Sequence, residues 1–158
     1  MPDVMVHTAA AYLARKRSWD TSLIILFLFG AMLPDLVSRP FYYFFPEFEM
    51  FFVAMHTPVV VVLFCILLSQ FFQEGFRKKA FFILVTGSLT HHFLDFFQIG
   101  YSLNGYMWLF PFDEKNYYIG LYWPEDPLYA IPFLLAAVFI DLFFTYRKNK
   151  FNKVNHSN

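Results

Sequence analysis

Six ionisable side chains stand in otherwise apolar stretches of this sequence: His7, Asp35, His56, His91, His92 and Asp95. They offer imidazole nitrogen and carboxylate oxygen without thiolate, the donor set of a catalytic zinc or a similar divalent ion that keeps a position open for water. His91 and Asp95 are four residues apart, so a helix stacks them on one face where both reach one ion or two neighbouring ions. His56 precedes Thr57-Pro58 at the start of a helix, and Asp35 follows Leu33-Pro34 at the end of one, so a break in regular structure can hold each as a ligand. His92 projects about 100° away from His91 around the helix, which assigns it to packing or to support of a ligand. A single His or Asp near a helix end is as often a cap or a local hydrogen-bond partner, so each residue alone is ambiguous.

Composition explains why these charges stand out. Of 158 residues, 58% are hydrophobic, 23% aromatic and only 15% charged, with mean hydropathy +0.46; an average soluble chain carries about 25% charged residues. So short a chain has too little interior to hide that apolar surface, and lipid must cover the remainder. Ionisable groups in lipid cost several kcal/mol unless paired, ligated or hydrated. A formal net charge of zero argues against a nucleic-acid footprint. The single cysteine, Cys65, excludes an intramolecular disulfide and a Cys-based zinc motif. The N-terminus lacks the basic and apolar regions of a removable signal peptide.

Four windows free of Asp, Glu, Lys and Arg, bounded by Asp20/Asp35, Glu49/Glu74, Lys79/Asp95 and Asp126/Asp141, predict membrane helices near Trp19–Val37, Phe51–Phe72, Ala80–Gln98 and Leu128–Tyr146. The segment from Val4 to Ala14 is about half a span long, ends at Arg15-Lys16-Arg17 and reads as a partly inserted helix whose alanines permit close approach. The expected architecture is all-α: a single membrane-embedded bundle of four transmembrane helices plus that short one, covering 1–158, with a basic cytoplasmic tail over 147–158. Ten of the twelve Lys and Arg fall at Arg15-Lys16-Arg17, Arg77-Lys78-Lys79 and Arg147, Lys148, Lys150 and Lys153, clusters that alternate with the helices so as to share one side. The positive-inside rule makes that side cytoplasmic, with the C-terminus inside a plasma (inner) membrane. Asp141 lies near Arg147 and Lys148, where pairing or hydration suffices.

Counting about 1.5 Å per residue from those clusters lifts His91 roughly 18 Å, Asp95 and Asp35 roughly 24–27 Å, and His56 near 30 Å, all in the outer half; His7 comes out lower, roughly 12 Å above Arg15. Chance would scatter such residues over both membrane faces. The group therefore points to a common metal site near the outer boundary.

Short motifs then match a known family. Val6-His7, the run Gly30-Ala31-Met32-Leu33-Pro34-Asp35, Met55-His56, the run from Gly87 to Asp95 with Thr90-His91-His92, and Trp108 to Phe112 resemble the YdjM-like membrane-bound metal-dependent hydrolase family over roughly the first 112 residues. The order His, Asp, His, then His-x-x-x-Asp also resembles the soluble zinc-dependent phospholipase C and fungal nuclease superfamily. What the resemblance implies is that Asp35, His56, His91 and Asp95 hold one ion, while Asp95 bridges to a second that His7 helps to bind. The chain has Val37 and Phe51 where the family commonly has a further Asp and His, and no His lies between Phe93 and Asn155, so a three-zinc site is not expected.

The resulting expectation is a metal-dependent hydrolase of the outer leaflet, carrying one or two divalent ions, zinc foremost, and acting on a phosphodiester or phosphate ester of a lipid headgroup. Asp35 and Asp95 are the candidates to orient the water that attacks. The loop Ile99–Pro127, with Asn104, Trp108 and Tyr117, is a candidate lid, although most of its aromatics suit an interfacial belt. Two other classes stay open. A proton- or metal-conducting transporter would use the same cluster, but its path should cross the membrane, and the inner halves offer mainly Thr86, Ser69 and Gln70. A non-catalytic assembly subunit would use the cluster as a fastener and the aromatic surface for docking. Oligomeric state is left open.

Overall fold

The computed structural model describes residues 3–99, 107–113, 115, 117, 119–123 and 125–155. Six α-helices follow in order: α1 Asp3–Ala14, α2 Thr21–Phe44, α3 Glu49–Met55, α4 Pro58–Ser69, α5 Glu74–Asp95 and α6 Pro127–Asn155, with a 3-10 turn at Pro46–Phe48 before α3. Among the described residues there is no strand, only a bridge between Gln98 and Tyr122. The all-α class expected from the apolar periodicity is what the chain adopts.

Local chemistry sets the boundaries. Asp20 begins α2 by accepting the Leu23 N–H at 2.9 Å, the bond that relieves an orphan donor of a helix's first turn. The expected single helix Phe51–Phe72 is broken. Pro58 has no N–H and sits at the first turn of α4, while Thr57 is extended with φ −73° and ψ 149°, so α3 stops at Met55 and α4 starts anew.

Asp35 does not end its helix as anticipated, because α2 continues through Pro34 and Pro40 to Phe44. A proline withholds one donor, yet in an apolar setting the chain gains more by keeping its remaining helical bonds than by unwinding. The Ser38 hydroxyl donates to the Pro34 carbonyl at 2.8 Å, anchoring itself on the turn that follows.

α5 begins at Glu74, ahead of the apolar window, and ends at Asp95, three residues before Gln98. There the segment 119–122 takes over the terminal backbone groups. Ile119 N–H donates to Phe96 O at 2.8 Å and Leu121 N–H to Phe97 O at 2.7 Å. The Tyr122 hydroxyl donates to Leu94 O at 2.6 Å. Carbonyls that a helix end leaves unpartnered are thus satisfied by the long loop itself.

The core lies between α2 and α5. Leu23, Phe27 and Ala31 of α2 pack with Ile83 of α5 and Ala11 of α1, and a second cluster joins Leu33, Leu84, Val61 and Cys65. Two glycines let the backbones meet. A Cβ at Gly30 would fall on the Leu84 carbonyl, and one at Gly87 on the Phe27 carbonyl and the Ala31 nitrogen. Small residues at such crossings are the packing device of membrane helices, where dispersion replaces the hydrophobic drive.

α1 fits between α2 and α6, and α6 leans on α1 alone among the described elements. Asp141 of α6 is engaged by Arg15 at 2.6 Å and Arg17 at 3.2 Å, correcting the expectation that Arg147 and Lys148 serve it. The reason is packing: α1 runs against α6, so the basic cluster that closes α1 arrives beside Asp141. Arg15 is itself buried, with its guanidinium 3.5 Å from the centre of the Tyr12 ring. Much of the rest of α6 up to Tyr146, including Phe133, Phe139 and Phe144, is exposed apolar surface. Thr21–Arg39 and Pro127–Lys148 are each long and apolar enough to cross a membrane.

Candidate metal centre

Four separate elements supply the donors. α1 brings His7, α2 brings Asp35, the α3–α4 break brings His56, and α5 brings His91 and Asp95 one turn apart. All five residues singled out in the sequence converge. Asp95 is the hub: one carboxylate oxygen lies 2.8 Å from His56 Nε2 and 3.1 Å from His91 Nε2, and the other 3.2 Å from His7 Nε2. Asp35 Oδ1 lies 3.7 Å from His91 Nε2 and 3.9 Å from His56 Nδ1. The His7 and His91 rings stack at 4.1 Å, which lifts His7 to the level of the others despite its lower place in the count along α1.

The donors sort into two triads, His56, His91 and Asp95, and His7, Asp35 and His91, each with ligand atoms within 4.8 Å of one another. His91 is common to both. Asp95 contacts members of each triad.

Burial makes the fit to a cation sharp. Asp35 and Asp95 are 2% exposed, His7 3% and His91 1%. Asp35 Oδ2 and both ring nitrogens of His91 are buried with no hydrogen-bond partner among the described residues. Leaving a buried polar atom unmet costs about 1–3 kcal/mol, and more for a charged one. A divalent ion satisfies such atoms, and an oxygen and nitrogen donor set without sulfur suits zinc or a similar metal.

Neighbouring groups aim the ligands. Ser38 spends its proton on Pro34 O, so its oxygen at 3.1 Å from His56 Nδ1 is assigned as the acceptor of that ring's N–H. His56 Nε2 lies 2.8 Å from the Asp95 carboxylate, to which it can only donate, and a metal bound there would take the place of that proton. His92 stays outside the donor group and meets the His56 carbonyl at 2.9 Å and the Ser88 carbonyl at 2.8 Å. In doing so it braces the backbone where α3 and α4 part, which agrees with its supporting role.

Arg39, two residues past the expected end of the Trp19–Val37 helix, lies in α2, with Nε 2.5 Å from Asp35 Oδ1. Its signal was the four-residue spacing from Asp35, hidden by the assumption that Pro34 and Asp35 end the helix. Ser38 was missed for the same reason.

Of the candidate lid, Trp108 packs edge-on against His92 and Phe96, each with ring centres 5.6 Å apart, and lines a niche with Val53, His56 and Met107. Tyr117 is exposed and donates to Asp113 Oδ2 at 2.8 Å, a bond that pushes its phenol above the usual value. Asn104 lies outside the described residues.

A helical membrane protein with a buried His/Asp cluster suited to a metal is the class that fold and site define. The chain belongs to the family described as YdjM inner membrane protein, which matches residues 4–156. Comparison with curated proteins and with solved structures finds no match, so the likeness to the phospholipase C and nuclease superfamily rests on motif order alone.

Proposed function

We propose that this protein is a membrane-bound metal-dependent hydrolase that acts at the outer leaflet on a phosphodiester or phosphate ester of a lipid headgroup. The observation that carries this reading is the gathering of His7, Asp35, His56, His91 and Asp95 into two overlapping triads with unmet buried donor atoms. Asp35, His56, His91 and Asp95 would hold one ion, and Asp95 would reach a second that His7 helps to bind. A divalent ion there supplies a Lewis acid that brings the pKa of a bound water toward neutrality and offsets charge on phosphoryl oxygens.

The protein's own groups perform the remaining tasks. Asp35 Oδ2 accepts the proton of the attacking water. Asp95 keeps three imidazoles aimed inward, and the Ser38 oxygen beside His56 Nδ1 would hold that ring in place once a metal takes Nε2. Trp108 and Met107 screen the His56 side from bulk water. Purified full-length protein in lipid nanodiscs is expected to retain about one or two zinc or similar ions. Chelation should abolish turnover of a panel of phospholipids and lipid-linked precursors, and zinc should restore it. Undiminished turnover by metal-free protein, or inert metal-loaded protein across that panel, would defeat the proposal.

The accompanying topology has four spans, α2, the broken α3–α4 pair, α5 and α6, with α1 inserted partway. The basic clusters and C-terminus face the cytoplasm and the metal centre faces outward. With Cys65→Ser as background, an impermeant maleimide applied to intact cells should label Lys115→Cys and spare Lys153→Cys. The reverse pattern would invert the orientation.

A further inference from the structure

We propose that residues 119–123 form an interfacial strap, whose Ile119, Leu121 and Trp123 side chains sit in the bilayer leaflet beside the His/Asp cluster, at the boundary between headgroups and acyl chains. The partner is a lipid surface, and the inference stands apart from the hydrolase reading.

The two faces of the strap differ in character. Ile119, Leu121 and Trp123 are 53%, 70% and 58% exposed, whereas Gly120 and Tyr122 between them are half-buried. That alternation belongs to an extended segment with one face turned outward. A segment facing water puts its apolar residues inward and its polar ones outward, and this one does the reverse. Its inward side carries the polar contacts: the Tyr122 hydroxyl donates to Leu94 O at 2.6 Å, and Tyr122 O accepts the Ile99 N–H at 2.8 Å.

A non-helical backbone enters an apolar medium only where its polar groups are already met. Ile119 N–H donates to Phe96 O at 2.8 Å, Leu121 N–H to Phe97 O at 2.7 Å, and Trp123 N–H to Asp126 Oδ2 at 2.7 Å. Each outward residue has thus committed its N–H within the protein.

The level of the strap follows from what it joins. It is bonded to the end of α5, just past Asp95, and leads to Pro127, where the apolar window of α6 opens. On α5 an exposed stripe of Phe82, Leu89 and Phe93 runs up to Phe97, whose ring meets that of Phe93 edge-on at 5.1 Å and whose carbonyl holds Leu121. Thr86, on the same stripe, returns its hydroxyl to Phe82 O at 2.6 Å, as a hydroxyl facing lipid must. The apolar surface therefore continues from α5 onto the strap without a charged break. No charged residue falls within 119–123; Asp113 and Lys115 precede it, and Glu125 and Asp126 follow. A tryptophan at such a rim places its ring among acyl chains and its N–H among headgroups. Because the strap grips the carbonyls of Leu94, Phe96 and Phe97, on either side of Asp95, it sets the bilayer boundary level with the cluster. Headgroups rather than acyl chains then come to the cluster's side.

The test uses full-length Cys65→Ser protein in phosphatidylcholine liposomes, with a nitroxide attached to Leu121→Cys or, as the water-side control, to Lys115→Cys, an exposed position. Oxygen concentrates in lipid and a nickel chelate in water, so their collision rates with the nitroxide report its surroundings. The oxygen-to-nickel ratio should be several-fold higher at Leu121→Cys than at Lys115→Cys. A second reading needs no cysteine change: phosphatidylcholine brominated high on its acyl chains should quench wild-type tryptophan emission, and Trp123→Phe should lose the largest share of that quenching. Equal ratios at the two labelled sites, with nickel reaching both, overturn the proposal by placing the strap in water. A Leu121→Cys label shielded from oxygen and nickel alike also overturns it, since another part of the chain or a second copy would then cover the strap. Undiminished quenching in Trp123→Phe does the same. Neither reading depends on metal or turnover, so failure here leaves the hydrolase proposal standing.

Discussion

If the proposed metal hydrolase reading holds, Asp95→Asn should abolish both zinc binding and turnover while leaving side-chain volume almost unchanged. Asp95 lies within 3.2 Å of His7, His56 and His91. The amide removes the negative charge and offers hydrogens where the imidazoles present lone pairs. Changes outside the ligand shell cost metal sites about 10–100-fold in affinity. Loss of a central ligand should exceed that, so zinc content should fall to background in purified Asp95→Asn, as it should in His91→Ala, which belongs to both triads. Circular dichroism must show the helices intact in each variant. Full zinc occupancy in folded Asp95→Asn would mean that the donors gather for another purpose.

Gly87→Ala should be the most damaging change away from the ionisable residues. The added methyl meets the backbone of Phe27 and Ala31, which cannot swing aside as a side chain would. Alanine is favoured over glycine within helices by about 1 kcal/mol. Overpacking typically costs 1–3 kcal/mol, occasionally more, and a collision with main chain belongs at the upper end, so destabilisation wins. The damage should reach the metal, because α2 carries Asp35 while α5 carries His91 and Asp95. Thermal unfolding and zinc content report both effects. Gly75→Ala is the matched control, since nothing lies within 4 Å of its new Cβ, and it should behave as wild type. Equal stability of the two variants would show that the α2–α5 crossing yields more readily than its geometry indicates.

The donor set was legible in the sequence because charged residues in apolar stretches are few and each demands compensation. His91 and Asp95 could be read as partners from spacing alone, and the depth count brought Asp35 and His56 to their height. His7 was harder, because a count along one short helix is blind to how that helix sits against its neighbours. Stacking on His91 settles its level. The apolar windows located the helices, but their ends depended on longer-range events. Pro34 was taken as a stop when α2 continues through it, which concealed Ser38 and Arg39 as neighbours of the centre. Pro58 did break its helix, and the expected continuity from Phe51 to Phe72 failed there. The partner of Asp141 was sought nearby in sequence, where pairing rules apply, and it came from α1. The glycines of the α2–α5 crossing lay within the motif runs, yet their use as contact points depends on which helices meet, which local pattern does not encode.

The bond between Arg15 and Asp141 joins residues 126 positions apart. For a chain made from its N-terminus, α1 must wait for α6 before its buried guanidinium finds this counter-ion. Such non-local closure is the kind of step that slows assembly. It also places His7, eight residues before Arg15 on the same arm, among the final parts to settle. The His/Asp cluster is in this sense a late-completed assembly, finished when α1 and α6 are brought together.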